Sequence, residues 1–61
     1  IKPDPEIYRR LLARNGLAAD TCLFIDDSAK NVAGAERVGM AGHHFTTPGA
    51  LRDDLLRRRL L

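Results

Sequence analysis

Apolar residues fall along this chain in short blocks, each with its own period and each closed by turn-forming residues. After Asp4-Pro5, the residues Ile7, Tyr8, Leu11 and Leu12 recur at helical spacing as one apolar stripe, with Arg9, Arg10 and Arg14 on the other side. Asp4 suits the N-cap and Pro5 the first helical position, while Asn15-Gly16 offers the left-handed stop. A helix is predicted over residues 5–15. Cys22-Leu23-Phe24-Ile25 is apolar at consecutive positions, without alternation, which predicts a strand at 22–25 buried on both faces. Residues 28–38 are predicted to be helical, capped by Ser28 or Asp27 and ended by Gly39. Ala29, Val32, Ala33 and Ala35 are small, and Gly34, at a cost of about 1 kcal/mol against alanine in a helix interior, implies close packing on a sheet. "GHHF", residues 42–45, gives a weaker second strand. Thr47-Pro48 then opens a last helix, with Leu51 and Leu55 four apart and Leu60 or Leu61 near its end.

Helix, strand, helix, strand, helix is the order of a parallel α/β sheet with right-handed crossovers. Two strands make a poor sheet, so the strand at 22–25 needs a partner on its other edge, and an open edge there would invite self-association. The 61 residues allow one small domain. A chain of that size buries roughly 60% of its unfolded surface, a marginal core. A single cysteine excludes an intrachain disulfide, no Cys/His cluster has zinc spacing, and Cys22 reads as core. Tyr8 and Phe45 also read as core.

The net charge of +2 owes much to Arg57, Arg58 and Arg59 beside Asp53 and Asp54, a solvated helix end. No aromatic residue interleaves with these arginines, which argues against nucleic-acid binding. With no charged leader and no membrane-length apolar run, the expected setting is cytoplasmic, with no membrane partner. Opening on "IKPDPE" reads as a piece of a longer chain.

The chemistry gathers at "CLFIDDSAKN". In open α/β sheets ligands bind beyond the carboxyl ends of strands, where Asp26 and Asp27 fall, just ahead of a helix N-terminus. Two adjacent hard oxygen donors there suit Mg²⁺. The same pair would also serve as a helix cap lining a solvated turn, and spacing alone leaves both readings open. Lys2 precedes the first helix and so belongs at the same end as the two acids, where an ammonium would neutralise a metal-bound phosphate. His43 and His44 are adjacent on a strand and point to opposite faces, which predicts one packed and one exposed histidine and no shared metal.

"KPDPEIYRRLL", then "CLFIDDSAKNVAGAERVGM", then "HFTTPGALRDDL" resembles the C-terminal part of a haloacid dehalogenase-like (HAD) superfamily hydrolase over nearly the whole chain. The resemblance implies a Rossmann-like core, represented here by a partial domain over residues 1–61. It also implies Mg²⁺-dependent hydrolysis of a small phosphorylated metabolite through an aspartyl-phosphate. By the same resemblance Lys2 is the third-motif lysine, catalytic and in contact with the phosphate. Asp27 would ligate Mg²⁺ directly, with Asp26 acting through water or behind it. Ser28 and Asn31 match positions that support this loop and the phosphate site. Keeping both acids points to the phosphatase-like branch rather than to the dehalogenases.

The Asp-x-Asp nucleophile strand, the second-motif Ser or Thr and the cap domain of that family have no counterpart in these residues, so the chain alone is expected to be inactive. "LFIDDS" also resembles the start of a receiver domain, an alternative Mg²⁺-binding signalling module. No later acid follows an apolar strand and no lysine follows Lys30, both of which that family requires. A third reading is a non-catalytic piece that associates through its open strand edge.

Overall fold

The structure is a computed structural model that describes residues 4–61. Lys2 lies outside the described residues. Helix α1 (Pro5–Arg14) is followed by a 3₁₀ turn at Ala19–Thr21, strand β1 (Leu23–Asp26), helix α2 (Ala29–Arg37), strand β2 (Ala41–His44) and helix α3 (Pro48–Arg57). The strands pair in parallel, Leu23 opposite Ala41 through Asp26 opposite His44. This is the expected α/β order, with the one crossover among the described residues made by α2.

Alternation along β2 divides the layers. Gly42 faces α2 so closely that a Cβ there would lie 2.6 Å from Val32 Cγ1. The next side chain, His43, reaches Asp54 of α3 on the opposite face. Phe24 stands opposite Gly42 and meets the Tyr8 ring edge-on, centroids 5.4 Å apart, a contact worth about 0.5–1.5 kcal/mol beyond burial. The core therefore sits on the α1/α2 side: Tyr8, Leu12, Ala35 and Met40 are buried together, with Ala19, Cys22, Phe24 and Val38 packed against them.

Several expectations need correction. The α1 stripe is narrower than its sequence pattern, because a helix resting on one neighbour covers a single i, i+4 row. Tyr8 and Leu12 are buried, whereas Ile7 and Leu11 remain 63% and 46% exposed. The first strand is displaced by one residue from 22–25. Cys22 closes the 3₁₀ turn, and pairing runs on to Asp26, whose carbonyl accepts the Phe45 N–H at 2.6 Å. Likewise the second strand occupies 41–44 rather than 42–45. Nor is β1 buried on both faces: Ile25 is 43% exposed, and among the described residues β1 pairs only with β2. Phe45 is half-buried, outside the central cluster. Gly34 admits Tyr8 rather than the sheet, since a Cβ there would lie 2.7 Å from Tyr8 Cε2 and 2.9 Å from its hydroxyl.

All three helices start on a side-chain cap, from Asp4, Ser28 and Thr47. All three also end in a Schellman motif, in which the second residue past the cap donates back into the last turn. Those bonds are Leu17 N to Leu12 O at 2.9 Å, Met40 N to Ala35 O at 3.2 Å and Leu60 N to Leu55 O at 2.8 Å. The left-handed position is glycine in the first two and Arg59 (φ 63°) in the third.

Polar bonds tie α3 to the sheet. Asp54 accepts from Arg58 Nε at 2.8 Å and from Arg57, Arg58 donates to the Gly42 carbonyl at 3.0 Å, and His43 Nδ1 lies 2.7 Å from Asp54 Oδ2. The Arg58 hydrogen bond above all, with His43 and Arg57 adding to it against partial desolvation, lowers the Asp54 carboxyl from 3.8 to about 2. An ionised carboxylate only accepts, so His43 Nδ1 carries the proton.

Two outcomes follow from this packing. Gly34→Ala places a methyl inside Tyr8 contact distance. Overpacking of about 1–3 kcal/mol outweighs the helix-propensity gain of about 1 kcal/mol, so urea denaturation is expected to show a lower midpoint; an unchanged or higher one contradicts this packing. Asp54 has a folded pKa below its unfolded 3.8, so its contribution is complete above that value and is lost as pH falls from 3.8 towards about 2. Stability measured against pH is expected to drop through that window, and Asp54→Asn to flatten that part of the curve.

Candidate functional site

Asp26 is the last residue of β1, Asp27 leads out of the strand, and Ser28 caps α2. Both carboxylate oxygens of Asp26 are engaged from the helix that follows: Oδ1 accepts the Ser28 backbone N–H at 3.2 Å, and Oδ2 accepts Asn31 Nδ2 at 3.0 Å. Ser28 Oγ in turn accepts the Asn31 N–H at 3.3 Å, and the Tyr8 hydroxyl donates to the Asn31 carbonyl at 2.8 Å. The Asn31 amide first, then the Ser28 N–H, hold the Asp26 carboxyl below its ordinary range, so it is an anion at neutral pH.

Asp26 is half-buried and fixed, whereas Asp27 is exposed beside it. Each Asp26 oxygen keeps a further lone pair beyond the bond it accepts. Together the acids offer hard, anionic oxygens at the carboxyl end of a parallel strand, next to the positive end of a nine-residue helix. Among the described residues no three His, Cys, Asp or Glu side chains gather into a closed cage. A cation held here would complete its shell with water and ligand oxygens, the habit of a small divalent ion that keeps its waters. The residues present fit such an ion.

The structure thus places Asp26, Asp27, Ser28 and Asn31 at one strand-to-helix junction, with the Ser28 backbone N–H and the Asn31 side-chain amide holding Asp26. Lys2 falls outside the described residues. Of the two histidines, His43 is packed, its side chain 11% exposed, and His44 is exposed. His44 carries a contact that the sequence reading missed: its Nε2 lies 2.9 Å from the Asp27 carbonyl oxygen. The signal available was register, since two parallel strands ending level bring residue 44 alongside residue 26. Elsewhere, an open groove of about 350 Å³ runs along the outer face of α1 between Ile7, Arg10, Leu11 and Arg14. It shares no residue with the acidic loop.

A family model described as HAD-hydrolase-like matches residues 1–59. The chain belongs to the HAD-hydrolase-like family. Similar proteins include the chloroplastic flavin mononucleotide hydrolase 1 of Arabidopsis thaliana, 41% identical over 54 residues, which are 88% of this chain and 22% of that protein. A protein of Mycobacterium tuberculosis (strain CDC 1551 / Oshkosh) named as a phosphatase is 38% identical over 56 residues, 92% of this chain and 26% of its own length. A sesquiterpene phosphatase of Aspergillus oryzae (strain ATCC 42149 / RIB 40) is 42% identical over 45 residues, 74% of this chain and 23% of its own. The chain spans about a quarter of the length of the curated relatives it matches. HAD membership separates it from receiver domains, the other family considered for a strand that ends in paired acids.

If the Asn31 side chain is what holds Asp26 ionised, Asn31→Ala raises the Asp26 pKa towards the ordinary carboxylate range. A ¹³C-detected NMR titration of the carboxyl group reads this directly, and an unmoved titration curve would remove Asn31 from the role.

Proposed function

We propose that this chain is the cation- and phosphate-binding part of a Mg²⁺-dependent HAD-type phosphatase acting on a small phosphate ester. The observation that carries this reading is the anionic Asp26, fixed by the first turn of α2 with Asp27 beside it at the carboxyl end of β1. Asp27, exposed at the end of β1, would ligate Mg²⁺ directly. Asp26 would bind the ion's waters while keeping its bonds to Ser28 and Asn31. When bound, Mg²⁺ supplies positive charge against the phosphoryl oxygens.

The chain's own residues do the rest by placement. Ser28 and Asn31 keep the loop in one conformation, and the head of α2 turns its positive end towards the same place. Tyr8 bonds the first turn of α2, so α1 packs against the helix that follows the two acids. That placement supports giving Lys2, which precedes α1 in sequence, the role of neutralising the substrate phosphate. No Asp-x-Asp occurs among the 61 residues, so the carboxylate that would attack phosphorus must come from outside them. The complete site would therefore be assembled from two separate stretches of polypeptide.

The 61 residues with Mg²⁺ and p-nitrophenyl phosphate are expected to show no turnover. A Mg²⁺ titration followed by ¹⁵N–¹H NMR should shift the amides of residues 26–28 at millimolar concentrations, and Asp27→Asn should abolish those shifts. Sustained hydrolysis by the chain, or amides that ignore Mg²⁺, would overturn the reading.

A further inference from the structure

We propose that His44 is a positioning residue for the cation site, setting the direction of the Asp27 side chain through the backbone. The proposal rests on the Mg²⁺ reading above and names a residue which that reading does not use.

The geometry is specific to Asp27. Its Cα lies between two peptide planes, one carrying the Asp26 carbonyl and the other the Asp27 carbonyl together with the Ser28 N–H. The end of β2 grips the first plane, the Phe45 N–H donating to the Asp26 carbonyl at 2.6 Å. His44 grips the second, its Nε2 2.9 Å from the Asp27 carbonyl. That second plane is also held at its other end, where the Ser28 N–H donates to Asp26 Oδ1 at 3.2 Å. With both flanking planes fixed, φ and ψ of Asp27 are fixed, and so is the direction of its Cβ. An exposed residue leaving a strand would otherwise wander, and a wandering carboxylate binds a cation poorly.

A carbonyl oxygen only accepts, so Nε2 must carry the hydrogen. It does so in the neutral Nε2–H tautomer and in the charged ring alike, so the contact needs no change of charge. His43 has no part in it, since its ring turns to Asp54 on the other face of the strand. The adjacent histidines divide the work: one joins α3 to the sheet, the other joins β2 to the acidic loop.

His44→Ala and His44→Gln separate this role from a general structural one. The glutamine side-chain N–H can replace the lost donor; alanine cannot. Outer contacts that orient a metal ligand typically change metal affinity by 10–100-fold when removed. His44→Ala is expected to weaken Mg²⁺ binding, read by the NMR titration, by about tenfold, and His44→Gln to recover most of that loss. Without metal, the Asp27 carbonyl ¹³C resonance should move upfield in His44→Ala and return towards wild type in His44→Gln.

Equal Mg²⁺ affinity in all three proteins overturns the positioning role and leaves the Mg²⁺ reading standing. A loss in both variants, with no recovery by glutamine, also overturns it. Should the wild type bind no Mg²⁺, the cation reading fails by itself, while the metal-free carbonyl shift still decides whether His44 holds Asp27. An Asp27 carbonyl resonance indifferent to both substitutions overturns the contact itself.

Discussion

Two like charges stand side by side where β1 ends, and the first turn of α2 is what makes that tolerable. Asp26 does not face its neighbour with two open oxygens. One oxygen accepts the backbone N–H that starts the turn, and the other accepts the amide of Asn31, one helical turn later. Ser28 closes the same turn from the opposite direction by capping it. The N–H groups that a helix start leaves unpaired and the charge that a strand end leaves exposed thus answer each other. Everything attributed to this site depends on that exchange. If Asp26 were loose, the loop would have no fixed conformation for Asp27 to inherit.

The loop is also stabilised from outside its own sequence. Tyr8 reaches it from α1 and His44 from the end of β2, so two outside elements converge on a stretch of six residues, 26–31. Rigid support of this kind is how a site keeps its geometry without a large core behind it. The core here is small and lies mainly under α1 and α2, while the His43–Asp54 and Arg58–Gly42 hydrogen bonds tie α3 to the sheet. A two-stranded sheet is marginal by itself. The helices and the loop share the task of holding it in place.

Much of this was legible in the order of residues. Asp4-Pro5, Ser28 and Thr47-Pro48 marked the three helix starts, and Gly16 and Gly39 two of the stops, because capping is local chemistry written at fixed offsets. The parallel arrangement followed from the alternation of strands and helices. Asp26 and Asp27 were marked by an apolar strand ending in acids, a local pattern. What stayed hidden depends on neighbours distant in sequence. Nothing local says that Ile7 would be left in solvent while Tyr8 is buried, or that Gly34 makes room for a phenol. Arg59 in a left-handed cap gives no sign of itself either, since glycine is the residue that announces one. The third stop was missed for that reason. His44 escaped notice because its partner is a backbone carbonyl, a group every residue has.

The contact between Tyr8 and Gly34 has one more consequence. The chain has a single tyrosine and no tryptophan, so its near-ultraviolet absorption and intrinsic emission come chiefly from that one ring. The ring is wedged between two helices with its hydroxyl on the carbonyl of Asn31, the residue whose side-chain amide holds Asp26. Nature has in effect installed a lone chromophore at the junction that steadies the acidic turn, and its spectrum follows the state of that junction without any label.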